Sequence, residues 1–162
     1  MKSLLLSIIV ASAAVLTAQP ATAPANFADY RVPVYTGKTA PLVLTPSDRQ
    51  FRTRLRWAAT HQKVNFAGHY ILTTWGCGGG CVMGAAIDAE TGKIVWLPFT
   101  ICCWPLGDNV EPLKFRADSR LIIFTGSRNE AEEKGIYYYK FERDSFTLLR
   151  TDKLPPEPKS PE

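Results

Sequence analysis

Four cysteines are the residues with the clearest potential for chemistry, and all lie in the middle third of the chain: Cys77, Cys81, Cys102 and Cys103. An even number of cysteines in a chain with an export signal favours disulfide bonds over free thiols. One pairing joins Cys77 to Cys81 across three glycines and leaves Cys102 and Cys103 to form a strained vicinal disulfide or to remain thiols. The alternative is two longer bridges from the glycine loop to residues 102–103. The sequence leaves both pairings open.

The cysteine spacing is a poor match to a metal site or a redox motif. Cys77 and Cys81 have the spacing of a zinc-binding pair. Adjacent residues of a strand point to opposite faces, however, so Cys102 and Cys103 cannot easily ligate one ion. The interval between Cys77 and Cys81 is one residue longer than in a redox C-x-x-C motif. We therefore predict no metal site and no cofactor.

His61 and His69 are the histidines that could serve as a base beside a thiol. His69 begins the strand that leads to Cys77, but eight residues of strand span roughly 26 Å, so these two side chains cannot touch within it. A thiol-dependent enzyme, either a hydrolase or a redox protein, would have to pair His69 with Cys102 or Cys103. The competing interpretation is a structural histidine held by hydrogen bonds. The sequence contains no serine-nucleophile, metalloprotease or phosphate-loop motif, and we predict no catalytic residue.

A second group of residues could contact a partner. Trp57 lies on the side of a predicted helix that faces away from its apolar stripe. Either the N-terminal arm, residues 26–44, covers this side chain, or Trp57 is exposed and contacts a partner. The predicted binding surface combines Trp57 with residues of the following loop and strand: Asn65, His69, Trp75, Gly78, Gly79 and Gly80.

One helix and a β-sheet must position these residues. Thr45, Pro46 and Asp48 carry the signature of a helix start, and apolar residues recur at helical spacing through residues 45–62. After residue 68 the hydrophobic period changes to two, with turn residues between short strands. The sequence therefore predicts an α+β fold, in which one N-terminal helix packs on an antiparallel β meander of about six strands.

The N-terminus has the organisation of a secretory signal peptide. Lys2 precedes an apolar run at residues 4–18, and the small residues around Ala25 fit a cleavage site, with a cut after Ala18 as the alternative. This run is too short to span a bilayer comfortably, so we expect cleavage and a mature protein that is not embedded in the membrane. The predicted segments are a signal peptide (1–25), a single globular domain (26–154) and a disordered tail (155–162). The predicted location is the periplasm or the outside of the cell.

The composition is that of an ordinary folded protein. Hydrophobic residues make up 46% and charged residues 21% of the 162, which is too apolar for disorder. The formal net charge is +4. Because the arginines are not interleaved with stacking aromatics in a nucleic-acid-binding motif, we predict no nucleic-acid partner. The expected partner is an unidentified periplasmic or extracellular protein.

Several segments resemble those of a family of uncharacterised exported bacterial proteins. They are residues 52–56 (RTRLR), 65–70 (NFAGHY), 75–81 (WGCGGGC), 87–88 with 91–93 (ID and TGK) and 118–121 (DSRL). The glycine–cysteine segment is the most specific of them, and the resemblance covers roughly residues 50–150. It implies an exported, compact domain in which the loop at residues 65–81 recurs, and it carries no established activity.

Small size, the export signal, the predicted cross-links and the lack of a catalytic motif in the sequence favour one function. We expect a non-catalytic, disulfide-stabilised binding module of the inhibitor or immunity type, which acts by presenting rigid loops. The thiol-dependent enzyme is the first alternative. A structural envelope protein without a small-molecule site is the second.

Overall fold

The computed structural model describes residues 25–105 and 111–154, and within them one α-helix and eight strands form an α+β structure. The predicted fold class is confirmed, with two corrections. The sheet has eight strands rather than about six. The helix is not N-terminal, because an extended arm with a 3₁₀ turn at Phe27–Tyr30 precedes it. The predicted signal peptide, apart from Ala25, and the predicted tail lie outside the described residues.

The elements follow one another in a simple order. The helix α1 spans Arg52–His61, and a 3₁₀ turn at Ser47–Phe51 leads into it. The strands are β1 Tyr70–Gly78, β2 Cys81–Asp88, β3 Ile94–Trp96, β4 Ile101–Cys102, β5 Leu113–Phe115, β6 Leu121–Arg128, β7 Lys134–Glu142 and β8 Ser145–Lys153. In the described part of the chain, no helix has the length and apolar character needed to cross a membrane.

All strands pair antiparallel in one sheet with the order β1-β2-β4-β6-β7-β8, while β3 pairs with β2 and β5 pairs with β6. Consecutive strands form the hairpins β1–β2, β6–β7 and β7–β8. The short strand β4 joins the two groups, because Ile101 pairs with Val82 of β2 and with Arg128 of β6. The hydrophobic pattern missed β4, since two residues are too few to show a period of two.

The β1–β2 hairpin is buried on both faces, because successive side chains of a strand point to opposite sides. On one face, Ile71 and Ile87 belong to the core that also contains Leu55 and Ala58 of α1. On the other face, Leu72 enters a larger core with side chains from the loop before β1 and from β6 and β7: Phe66, Ile122, Phe124, Tyr137 and Phe141. The helix therefore covers one face of a hairpin whose other face supports the rest of the sheet.

Three aromatic rings fix the start of α1 over the sheet. The ring centroid of Phe51 lies 5.4 Å from that of Trp75 and 4.9 Å from that of Trp96. The structure buries Trp75 in this core, in contrast to its predicted place on the binding surface. The reason is the alternation of β1, which turns Ile71, Thr73 and Trp75 to the same side of the strand.

The buried carboxylate of Asp48 fixes the segment that leads into α1. The Thr45 side chain, which was predicted to cap the helix, makes no capping hydrogen bond. Thr45 instead donates its backbone N–H and its hydroxyl to Oδ2 of Asp48, each at 2.7 Å. The indole N–H of Trp96 donates to Oδ1 at 2.8 Å. Burial raises the pKa of Asp48, but these hydrogen bonds outweigh it and lower the pKa below its ordinary value. Asp48 thus ties the helix start to β3.

Candidate functional site

The side chain of Asn65 and the backbone angles of Ala67 and Gly68 determine the conformation of the loop before β1, residues 65–69. Asn65 accepts the Leu72 backbone N–H at 2.7 Å and donates its amide to the Leu72 carbonyl at 3.0 Å. Ala67 and Gly68 both adopt positive φ, at 47° and 89°, and Phe66 is fully buried in the larger core. Asn65 was predicted on the binding surface, and its role in the structure is to hold the loop that presents His69.

This loop packs against the N-terminal arm and the turn between β5 and β6. Gly68 donates its N–H to the Ala117 carbonyl at 2.8 Å and accepts the Tyr35 N–H at 2.7 Å. A Cβ at Gly68 would lie 2.8 Å from the Pro33 carbonyl oxygen, so the close approach itself requires glycine at this position. The backbone on both sides therefore fixes the place of the next residue, His69.

A turn between β2 and β3 brings two carboxylates to His69. Oδ1 of Asp88 accepts the Glu90 N–H at 2.9 Å, and Oδ2 accepts the Thr91 hydroxyl at 2.6 Å. The Ala89 N–H donates to the His69 carbonyl at 2.8 Å, which fastens the turn to the loop. The two segments that carry these side chains are thus connected by backbone as well as by side chains.

His69, Asp88 and Glu90 form what we call the His69 cluster. Nδ1 of His69 lies 3.4 Å from Oδ1 of Asp88 and 3.1 Å from Oε2 of Glu90. Nδ1 is inaccessible to solvent, yet it makes no hydrogen bond of acceptable geometry. A surface cavity of about 280 Å³ borders the cluster, lined by His69 and Glu90 together with Tyr35, Gly68 and Arg120. The cluster therefore combines an imidazole nitrogen and two carboxylates beside an open cavity.

The ring of Tyr70 packs against His69 and is itself held by a hydrogen bond. The rings of His69 and Tyr70 lie 4.3 Å apart, edge to face, and the Tyr70 hydroxyl donates to Oδ1 of Asp144 at 2.5 Å. Burial raises the pKa of Tyr70 far above its usual range, and the hydrogen bond to Asp144 and the nearby charges of Asp88 and Glu90 raise it further. Tyr70 therefore stays protonated and serves as a fixed donor.

The outer side of α1 presents an exposed aromatic among cations. Trp57 is 55% exposed, so the predicted alternative in which the N-terminal arm covers it is not observed. Its ring stacks on that of His61 with centroids 5.2 Å apart, and Nδ1 of His61 lies 2.9 Å from the Trp57 carbonyl oxygen. We define the basic helix surface as Trp57 together with four exposed cationic side chains of α1 and the residues that flank it: Arg49, Arg52, Arg56 and Lys63.

The glycine loop lies at the far end of β1 from His69. The structure contains the local disulfide between Cys77 and Cys81, with Cα atoms 5.1 Å apart. Because these two cysteines are bonded to each other, the two longer bridges are excluded. The glycines between them, Gly78, Gly79 and Gly80, are exposed, but a strand of nine residues separates this loop from His69. The predicted binding residues therefore do not share one surface.

Cys102 and Cys103 carry free thiols, in contrast to the prediction of disulfides at these positions. Cys102 is buried in β4 beside Ser127, while Cys103 turns outward with a φ of 57°. A hydrogen bond with Cys103 and burial both raise the pKa of the Cys102 thiol. Strand β4 pairs with β2 at Val82, whereas Asp88 of the His69 cluster lies at the other end of β2. The length of strand between Val82 and Asp88 therefore separates these thiols from the His69 cluster by roughly 20 Å.

Sequence reasoning singled out His69 but missed its partners Asp88 and Glu90. A partial signal was present, because three of the segments that carry the family resemblance meet here: residues 65–70, residues 87–88 with 91–93, and residues 118–121. Arg120 of the last segment lines the same cavity. Their contact depends on the pairing of Tyr70 with Asp88, which the sequence alone did not give.

Comparisons of the chain with protein-family models, with curated proteins and with solved structures found no match. What the protein binds must therefore be inferred from the chemistry of its own surface. Two features carry that chemistry: the basic helix surface and the His69 cluster.

Proposed function

We propose that this protein is an exported, non-catalytic binding module that docks an acidic surface of another exported protein through the basic helix surface. The observation that supports this proposal is the exposure of Trp57 on a helical segment whose exposed cations form no ion pair with the residues that the structure describes. Trp57 is 55% exposed, and tryptophan is among the side chains that most often anchor protein–protein interfaces.

The charge around Trp57 selects an acidic partner. Residues 49–63 contain five cations, the four of the basic helix surface and Arg54, whose guanidinium lies over the Trp75 ring. Asp48 is the one acid among residues 45–63. Asp48 is buried and already accepts three hydrogen bonds. None of the five cations forms an ion pair with the residues that the structure describes. Such a patch attracts acidic surfaces and accelerates their association at low ionic strength.

The residue types favour a protein over other anionic partners. Tryptophan and arginine are the side chains most enriched among residues that dominate protein–protein binding energy. His61 holds the Trp57 ring by stacking, and a hydrogen bond in turn holds His61. Binding therefore costs little side-chain entropy at Trp57, which is a property of an efficient anchor.

The test compares the protein with two variants, Trp57→Ala and Arg56→Glu, in capture from a periplasmic and extracellular extract. Any captured protein is then purified and titrated against the same panel. We expect Trp57→Ala to weaken binding at least tenfold, Arg56→Glu to weaken it as strongly, and added salt to weaken binding to the original protein.

Two matched controls carry the same changes elsewhere. Leu148→Ala removes an exposed apolar side chain of β8, and Lys114→Glu reverses an exposed charge on β5. Equal binding by all variants, or binding of anionic vesicles or nucleic acid in place of a protein, would contradict the proposal. Failure to recover any saturable partner would instead favour the structural envelope protein.

The thiol-dependent enzyme receives no support from the geometry. Cys102 and Cys103 lie far from His69 along the sheet. The raised pKa of Cys102 also disfavours the thiolate that a nucleophile requires.

A further inference from the structure

We propose that the His69 cluster binds a divalent transition-metal ion of the zinc class, with His69, Asp88 and Glu90 as its protein ligands. This site is independent of the basic helix surface, since it lies at the turn between β2 and β3 and uses no residue of α1. The prediction of no metal site rested on the spacing of the cysteines and did not consider His69 with the two carboxylates.

The separations of the donor atoms fit such an ion. A tetrahedral ion with ligands at 2.0–2.2 Å places those ligands roughly 3.3–3.6 Å from one another. Nδ1 of His69 lies 3.4 Å from Oδ1 of Asp88 and 3.1 Å from Oε2 of Glu90. The three donor atoms all lie within 4.8 Å of one another. Glu90 is half exposed, so its carboxylate can adjust by a rotamer change without disturbing the core.

A second observation points to a ligand at this place. Nδ1 of His69 is closed off from solvent and makes no hydrogen bond, although two carboxylate oxygens lie nearby. A buried polar atom normally has a well-aligned hydrogen-bond partner, and here the nearby carboxylate oxygens are at ion-pair distance without that alignment. An ion bound between the three donor atoms would satisfy Nδ1 and would neutralise the two facing carboxylates.

The surrounding bonds resemble the support that metal ligands receive. Oδ1 and Oδ2 of Asp88 each accept one hydrogen bond, from Glu90 and Thr91, which orients the carboxylate and leaves lone pairs free. The bond from Ala89 N–H to the His69 carbonyl fixes the distance between the two ligand-bearing segments. Outer-shell contacts of this kind pre-organise metal sites.

The donor set also selects among ions. One imidazole nitrogen with two carboxylate oxygens suits zinc and its neighbours, whereas calcium prefers six to eight oxygen ligands and magnesium retains several waters. Three protein ligands leave a fourth position open beside the cavity that Arg120 lines. Water or an anionic group would complete the coordination there.

The test uses the untagged protein after chelator treatment, titrated with Zn²⁺ by calorimetry and with Co²⁺ by visible absorption. We expect one equivalent to bind, a tetrahedral cobalt spectrum, and a rise of several degrees in the melting temperature. His69→Gln and Glu90→Gln should each weaken binding at least tenfold. Glu90 is exposed, so its substitution keeps the fold intact even if His69→Gln perturbs the loop.

Two controls separate this site from other metal-binding groups. His61→Gln changes the second histidine of the chain and should leave Zn²⁺ affinity unchanged. Cys103→Ser removes the exposed thiol and should also leave it unchanged. Absence of binding at 100-fold excess of metal over protein would overturn the proposal, and so would binding that is lost in Cys103→Ser but kept in Glu90→Gln.

Discussion

Replacing Asp48 by alanine should destabilise the protein, because this one carboxylate connects the start of α1 to β3. The substitution removes the acceptor for the Trp96 indole N–H and for both donors of Thr45. A hydrogen bond to a charged group contributes about 1.5–3 kcal/mol, and loss of the helix-start contact adds about 1 kcal/mol. Water can rescue the exposed Thr45 donors, so we expect a total of about 3 kcal/mol.

Urea and thermal unfolding monitored by circular dichroism measure this loss. About 3 kcal/mol corresponds to a melting temperature lowered by roughly 10 °C for a chain of this size. Asp29→Ala is the matched control, because Asp29 makes a similar capping contact at an exposed 3₁₀ turn and should cost less than about 1 kcal/mol. Equal losses for Asp48→Ala and Asp29→Ala would refute the reasoning.

The same carboxylate should make stability depend on pH. The pKa of Asp48 is lower in the folded protein than its ordinary value of 3.8. Its contribution is therefore fully present above pH 3.8 and is lost as pH falls through the folded pKa. The stability difference between the original protein and Asp48→Asn should stay constant from pH 7 to about 5 and shrink below about 4. A difference that persists unchanged to pH 2 would show that the charge contributes nothing.

Three further predictions concern the cross-link, the free thiols and the core. Replacing both Cys77 and Cys81 by serine should lower the free energy of unfolding by about 2 kcal/mol, because the disulfide closes only a short loop. A loss above about 4 kcal/mol in urea titration would mean that the bond shapes the native state. A thiol reagent should label Cys103 rapidly and Cys102 only after unfolding, since one is exposed and the other buried; equal rates in native protein would contradict this. Phe66→Ala should cost about 3–5 kcal/mol, and a chemical-denaturation midpoint that hardly moves would show that the larger core does not depend on this ring.

The helix and the hairpins could be predicted because their signals are local. Thr45, Pro46 and Asp48 marked the helix start. Asp48 accepts the Thr45 backbone N–H, as a capping-box acid does, whereas its hydrogen bond with the Trp96 indole joins residues 48 positions apart and could not be predicted from local pattern. The sequence showed the alternation of β1, but not that both faces of the β1–β2 hairpin are buried. Because both faces are buried, Trp75 is a core residue. Local pattern does not reveal which elements cover a strand.

The candidate site was harder to predict because it is assembled from distant segments. His69 and Glu90 are 21 positions apart, from 69 to 90, and meet through the register that pairs Tyr70 with Asp88. A one-residue shift of that register would move one partner to the opposite face of the sheet. The angle of Trp57 on the helix, in contrast, predicted that it faces away from the apolar stripe, but it left open whether the N-terminal arm covers the ring, which in the structure is 55% exposed.

The path of the N-terminal arm decides where this chain can tolerate sequence change. The arm reaches the loop and turn of the His69 cluster through main-chain atoms, with Tyr35 N–H on Gly68 O, Ala40 N–H on Ala89 O and Val43 N–H on Gly92 O. Main-chain contacts are the same for almost any residue, so exposed positions such as Val34 and Val43 should accept many replacements. Sequence change is constrained instead at the residues that the arm contacts. A methyl group at Gly92, for example, would lie 1.9 Å from the Pro41 carbonyl oxygen. Libraries that randomise this chain should therefore retain diversity at the exposed positions of the arm and lose it at the two glycines that the arm crosses, Gly68 and Gly92.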